Sequence, residues 1–547
     1  MDGRSAARAL IIGVTLIGSA IPAAASPATA SGPTDRGDPL PRVPPGFAVT
    51  PYIQIPGAAT SLAFGKDTRG RPEPRLYVTD YVGGRVLAID DVGDAGGTPS
   101  VFAEGFRNPL GVVAAKDGTV YVADSEAARA GPFGNRSYGR VWRVRDTNGD
   151  GTGDLKEVVL KDLPNGRHNT NGMAFGPDGM LYVTNGNSTD DGVEGGEPEV
   201  EPWSGSLIRV DPNATGVSLA SLSQQDALVA HGMRNLYDVA FSPIDPSQAF
   251  IPTNGLDDAR QGNTGGTGIE DSDDLLYRAD VDDVRETIDA SGNPVVEPVV
   301  DDFGFPSCLY NLDRQRNLEP YDNPNPNTIK KFGPCPTETV PRPVASFGLH
   351  VSADGLAFQH TNAWGDDYRN DVFVAEFGNF FGDDIMGHRV VRVELDATGR
   401  NVVRQSEFLS DAVALDLTFD DAGAMYVASF GGHIFKVTKV VDPPRVIDVQ
   451  MSAFQFIPQT LTIPEGTVVR WVNEDVLGLP HEVAGQAVVR ADGSTDNPRE
   501  IDTGVVNVGA SRSFRFDTPG TWIYTCEINI THEVTMHGQI TVVPAGS

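Results

Sequence analysis

Cysteine is scarce in this chain: Cys308, Cys335 and Cys526 are the three thiols among 547 residues. A disulfide scaffold standing in for a hydrophobic core is excluded by that count. Positive charge is short as well, with 42 lysines and arginines against 74 aspartates and glutamates, a net charge of −32. Phosphate backbones demand a basic surface, so nucleic acid is excluded as a partner and an anionic membrane is disfavoured. The acidity suits solubility, or docking of a basic redox partner. Long apolar runs are missing too. The stretch Ala9 to Ile21 is the nearest approach, and it falls short of the ~20 residues a bilayer span requires.

That stretch follows Arg4 and Arg8 and precedes Ala23-x-Ala25, the order of a secretory signal, so residues 1–25 are expected to direct export and to be removed. The expectation is a secreted or extracytoplasmic protein with no membrane insertion after cleavage. Residues 26–45, rich in Pro, Ser, Gly and Thr, read as a flexible lead-in. Exported thiols tend to pair, so Cys308 and Cys335 are expected to form a disulfide, and Cys526 is left needing another explanation.

Residues 46–439 repeat one theme six times: an apolar strand, a Gly or Asp turn, then a second strand. The copies begin at Ser61-Leu62-Ala63-Phe64, Gly111-Val112-Val113-Ala114, Gly172-Met173-Ala174-Phe175, Asp238-Val239-Ala240-Phe241, Gly355-Leu356-Ala357-Phe358 and Asp416-Leu417-Thr418-Phe419. Second strands include Leu76-Tyr77-Val78, Leu181-Tyr182-Val183 and Met425-Tyr426-Val427. No helical periodicity of comparable strength accompanies them. Strand repeats of this length predict an all-β chain with a six-bladed β-propeller. Paired prolines in 440–446 then mark a linker, and 447–547 reads as a second domain, a β-sandwich.

Four soft-metal ligands stand in order in that last domain: His481, then Cys526, His532 and Met536 between two strand-like segments. Two imidazoles, one thiolate and a weak axial thioether are what a mononuclear, type 1 copper centre takes. With Phe456-x-Pro458, the run Leu461 to Gly466 and the run Val468 to Asn473, the pattern resembles the cupredoxins, the plastocyanin and azurin family of β-sandwiches. The resemblance implies His481, Cys526, His532 and Met536 as copper ligands. Five residues separate Cys526 from His532, one more than in the azurin-like loop, and His537 stands beside Met536. The second imidazole is therefore open between His532 and His537.

A second resemblance, over most of 46–439, is to the soluble quinoprotein glucose dehydrogenases and the related sorbosone dehydrogenases. It is carried by His168-Asn169-Thr170-Asn171-Gly172, by His231-Gly232-Met233-Arg234-Asn235, and by Gly348-Leu349-His350 with Tyr368 to Glu376. In that family pyrroloquinoline quinone (PQQ) sits in a funnel where a histidine takes the sugar hydroxyl proton. The resemblance implies His168 as that base, with Arg234 and Asn235 contacting PQQ, and a sugar or aldehyde as substrate. The pattern departs from the family at Ala412-Val413-Ala414-Leu415-Asp416, where members often carry arginines, and at Arg167, where the glucose enzymes carry an acid.

Asp146, Asn148, Asp150, Thr152, Asp154 and Glu157 hold positions 1, 3, 5, 7, 9 and 12 of a loop with Gly151 at 6, the spacing of an EF-hand calcium loop without its helices. Two functions follow as expectations. One is an exported oxidoreductase whose tethered copper domain takes electrons singly from sugar oxidation; the other is a non-enzymatic copper carrier whose repeat domain is a ligand- or protein-binding scaffold. Thr525 and Glu527 flank Cys526, so the adjacent histidine through which multicopper oxidases and copper nitrite reductases wire their centres is missing.

Overall fold

A computed structural model describes residues 40–544 apart from 91–94, 132–133, 190–191, 195–196, 199–201, 257–271, 289–293, 312–318, 324–325, 379–385, 441–444, 491–500 and 529–535. The expected signal, nearly all of the lead-in, and His532 lie outside the described residues. Among those described, no helix is long and apolar enough to cross a membrane. The chain divides into two compact units, Ala48–Lys439 with Pro41–Pro44, and Val440–Ser547 with Pro45–Phe47.

In the amino-terminal unit each sequence repeat opens its own sheet, antiparallel except for a parallel edge strand in the second and third. The first strands are Ala59–Gly65, Gly111–Ala114, Thr170–Phe175, Ala240–Phe241, Ala353–Phe358 and Ala414–Phe419. Each belongs to a sheet of four or five strands, and the sixth takes its last strand, Phe47–Gln54, from a segment that precedes the first repeat. The expected six-bladed propeller is corrected here: the strand pairing gives separate open sheets, and no sheet closes into a propeller. The sequence repeat records alternation inside a sheet, whereas the joins between sheets are made by side chains. Phe175, Phe241, Phe358 and Phe419 set their rings edge-on against Tyr121, Tyr182, Phe250 and Phe373 of the preceding sheet, at 5.5, 5.0, 5.3 and 5.6 Å. Phe64 meets Tyr426 in the same way at 4.9 Å. Such pairs add about 0.5–1.5 kcal/mol each beyond the area they bury.

The residues that begin the repeats stitch neighbouring sheets together. Asp416 accepts the Leu62 N–H at 2.7 Å, Asp238 accepts that of Leu356 at 3.3 Å, and Ser61 Oγ accepts that of Val112 at 3.2 Å. Gly355 has to be glycine, because a Cβ there would stand 2.3 Å from Asp416 Oδ1. The first strands also line a cavity of about 490 Å³, walled by Phe64, Met173, Phe241 and Phe358 and opening onto Asp238 and Asp416. Cys308 and Cys335 form the expected disulfide, inside the apolar cluster of the third and fourth sheets.

The carboxy-terminal unit is a β-sandwich. One sheet joins Gln455–Ile457, Val446–Ser452, Thr467–Asn473 and Ser511–Phe516; the other joins Thr460–Pro464, His537–Val543, Gly520–Thr525, His481–Arg490 and Ile501–Val506. Alternation along Thr467–Asn473 sends Val469 and Trp471 inward, where they meet Phe456, Phe516, Trp522 and Tyr524. Each fully buried phenylalanine contributes roughly 1.5–3 kcal/mol by removal from water. Tyr524 stacks edge-on against Phe456 at 4.7 Å, and two residues further on the same strand delivers Cys526 to the end of the core.

Candidate functional site

His481 opens one strand of the sandwich and Cys526 follows the end of its neighbour, so the two side chains meet at one end of the sheet. Both are fully buried, and Cys526 Sγ lies 3.9 Å from His481 Nδ1. Two bonds of about 2.0 and 2.3 Å from a single metal, subtending roughly 120°, separate nitrogen and sulfur donors by about 3.7 Å. The pair therefore fits a shared ion. Met536 is also fully buried, and its carbonyl accepts the Cys526 N–H at 3.2 Å and the Thr525 hydroxyl at 3.0 Å. His537, the rival imidazole, is exposed at the start of the last strand.

The electrostatics around these atoms are uneven. Burial pushes the Cys526 thiol up, and Glu482 and Glu527 add to this, against N–H donors from Ile528 and Glu482. A thiol so placed needs a cation to become the thiolate. Asp475 goes the other way. Burial opposes its charge, but the His481 ring and the N–H groups of Leu477, Ala453 and Leu479 hold its carboxyl down to about 2. Its Oδ2 lies 2.8 Å from His481 Nε2. Sequence reasoning missed Asp475, whose place six residues before His481 reads as ordinary turn chemistry.

In the amino-terminal unit the structure gathers His168, Arg234 and Asn235, though none of them lines the 490 Å³ cavity. Asn187 ties the first two: its carbonyl meets His168 Nδ1 at 2.9 Å, and its N–H donates to the Arg234 carbonyl at 2.6 Å. Asn235 lies in a row of amides. Asn171 donates to Asn235 Oδ1 at 3.1 Å, Asn235 to Asn254 Oδ1 at 2.5 Å, and Asn254 to Asp354 Oδ1 at 3.1 Å. Gly186 faces this junction, where a Cβ would stand 2.5 Å from His168 Cβ and 2.7 Å from Asn235 Oδ1. Asn171, Asn187, Asn254 and Asp354 were not singled out from sequence; Asn171, inside the His168 motif, was the available signal.

These residues do not fit PQQ, a quinone bearing carboxylates. Arg234 is buried here beside Asp274, whose carboxyl burial pushes up to about 6 against the pull of Arg234 and His350. Asp354 is raised further by burial. Ala412, Ala414 and Leu415 are buried and apolar where the family often offers guanidinium groups. Among the described residues, an anionic cofactor at this junction would meet buried acids, at a desolvation cost that Arg234 offsets in part.

At the expected calcium loop, Asp146 accepts N–H donors from Gly149 and Gly151, both at 2.7 Å, and Asp150 accepts that of Thr152 at 2.8 Å. Asn148 accepts the Asp150 N–H, and Asp154 the Thr147 N–H. Glu157 points away to Arg143 and Arg145, at 2.9 and 2.8 Å. Among the described residues no three His, Cys, Asp or Glu side chains gather into a metal-holding group.

Comparison with known proteins follows the same division. Residues 445–543 match the copper binding proteins of the plastocyanin/azurin family, and the carboxy-terminal unit is a copper-binding cupredoxin domain. Residues 42–237 match a domain of unknown function, DUF7133. An uncharacterized protein of Borreliella burgdorferi is 23% identical over 242 residues, 42% of this chain and 54% of that protein, so the chain spans about half the length of this curated relative. A Trichoderma reesei carbohydrate-active enzyme of family AA12, in its iodide structure, superposes with a TM-score of 0.55 at 16% identity, covering 75% of this chain and all (100%) of that one. The holo form of the pyranose dehydrogenase PQQ domain from Coprinopsis cinerea gives 0.54 at 15% identity, with coverages of 74% and 98%. At these identities the likeness is one of fold.

Proposed function

We propose that this chain is an exported copper electron carrier. Cys526, His481 and Met536 hold one type 1 copper together with a second imidazole, from His532 or His537. The observation that carries the reading is the buried Cys526 Sγ at 3.9 Å from His481 Nδ1. Copper bound there supplies one-electron chemistry. The protein's part is to keep the donors dry and fixed, so that little rearrangement accompanies a change of charge. Copper(II)-loaded protein is expected to show an intense thiolate-to-copper band in the visible, abolished in Cys526→Ser; a band that survives the substitution refutes the assignment.

The amino-terminal unit, in this reading, is a binding scaffold rather than a quinone enzyme. Its amides Asn171, Asn235 and Asn254 offer donors and acceptors without charge, beside Asp354, whose carboxyl burial pushes up, and such a row suits a polyhydroxy ligand such as a sugar. The names of the two proteins of like fold support a carbohydrate over other ligands. Adding PQQ with a panel of sugars and aldehydes is expected to leave the blue colour unchanged. Bleaching that requires PQQ and is lost in His168→Ala would instead establish the dehydrogenase reading. Calcium at 146–157 belongs to the proposal only as a weak site, because Glu157 must first leave Arg143 and Arg145. Calcium titration followed by calorimetry tests it.

A further inference from the structure

We infer that Asp475 is a positioning residue of the copper site, locking His481 in the tautomer that presents a bare Nδ1 toward Cys526. This rests on the copper reading above and adds a residue to it that touches none of the proposed donor atoms.

The geometry is specific at both ends of the ring. His481 Nε2 and Asp475 Oδ2 are 2.8 Å apart, and both side chains are entirely buried. A carboxylate accepts and does not donate, so Nε2 carries the proton and Nδ1 keeps its lone pair. Nδ1 is the nitrogen that lies 3.9 Å from Cys526 Sγ. Were the tautomer reversed, the nitrogen facing sulfur would bear a hydrogen and Asp475 would face an unprotonated one.

Asp475 is itself held from several directions. Its Oδ1 accepts the N–H of Leu477 at 2.7 Å and of Leu479 at 3.4 Å, while Oδ2 also accepts that of Ala453 at 2.9 Å. Asn473 Oδ1 takes the Asp475 N–H at 3.0 Å, and Asn473 Nδ2 donates to the carbonyls of Leu479 and Val506, at 3.0 and 2.8 Å. A carboxylate fixed this firmly fixes the ring. Carboxylates that orient metal-binding histidines also raise their donor strength, and losing one typically costs 10–100-fold in metal affinity. The negative charge favours the more highly charged copper state, so Asp475 should lower the reduction potential.

Holding the loop and tuning the ligand are separable. Asp475→Asn keeps an acceptor oxygen and removes the charge; Asp475→Ala removes both. In the full chain, labelled with nitrogen-15 at histidine and free of copper, His481 is expected to show a protonated Nε2 and an unprotonated Nδ1, its signals identified by their loss in His481→Gln. On copper loading, Asp475→Ala is expected to bind roughly 10–100-fold more weakly with a shifted visible band. Asp475→Asn is expected to retain the band at a raised midpoint potential, a change that a purely structural role would not produce. A protonated Nδ1 in the wild type, or a midpoint potential unmoved in Asp475→Asn, overturns the inference. A wild-type chain with no thiolate-to-copper band sinks the copper reading itself, whereas a wild-type band with both variants unchanged sinks only the role of Asp475.

Discussion

Buried carboxyl groups that lack an arginine partner are held in opposite directions in the two units. In the sandwich, Asp475 is held to about 2 by His481 and by backbone N–H donors in spite of its burial. In the amino-terminal unit, burial raises Asp354, Asp238 and Asp416, and the last two repel each other. Their hydrogen-bond partners are neutral: Asn254 for Asp354, and backbone N–H groups of neighbouring sheets for the others. A buried charge persists where a specific partner compensates it, and elsewhere a proton neutralises it. One unit holds a buried carboxyl down beside soft metal donors; the other holds three of its buried carboxyls up and fastens its sheets through the N–H groups they accept. That contrast is what supports the proposal of a copper carrier in one unit and a binding scaffold in the other.

The sharpest break in the comparison is Cys526→Ser, which should abolish the visible band while leaving the thermal unfolding of the amino-terminal unit in place; calorimetry and absorption on one sample check both. Next comes the 10–100-fold loss of copper affinity in Asp475→Ala. Removing the disulfide acts on the opposite unit. Cys308 and Cys335 are 27 residues apart in sequence, so the double change to alanine should cost about 3.5 kcal/mol by chain entropy, with no effect on the copper spectrum. A lost band in that variant would mean the units are not separable.

The smallest effect concerns pH, and its sign differs between the units. A carboxyl with a lowered folded value, such as Asp475, contributes stability that is present above about pH 4 and is lost as pH falls through its folded value of about 2. One with a raised value, such as Asp416, binds its proton more tightly folded than unfolded. Its contribution is therefore full below about pH 4 and is lost as pH rises from there. Asp416→Asn should accordingly gain stability relative to wild type as pH rises between about 4 and 7. Urea unfolding across that range checks it, and a difference independent of pH would show that Asp416 is already ionised.

The strands themselves were legible because a short apolar run such as Leu76-Tyr77-Val78 or Met425-Tyr426-Val427 is a local signal. How the sheets join was not, since joins such as Leu62 to Asp416 span 354 residues and leave no periodic trace, and the closed propeller expected from the repeat is not what the strand pairing gives. The candidate copper ligands could be proposed from sequence because Cys526, His532, Met536 and His537 stand close together after His481. Asp475 and the row Asn171, Asn235, Asn254 could not, because aspartate and asparagine are common and the row is assembled from different sheets. The absence of arginine at 412–416 was readable; that acids stand buried near Arg234 was not.

The central claim is a single copper held by sulfur in the sandwich, and titration of the copper-free full chain with copper(II), followed by visible absorption and electron paramagnetic resonance, tests it most directly. The expected result is an endpoint at one copper per chain with an intense thiolate band and the compressed hyperfine pattern of a type 1 centre. A pale spectrum with an ordinary hyperfine pattern, the same in Cys526→Ser as in the wild type, would contradict it.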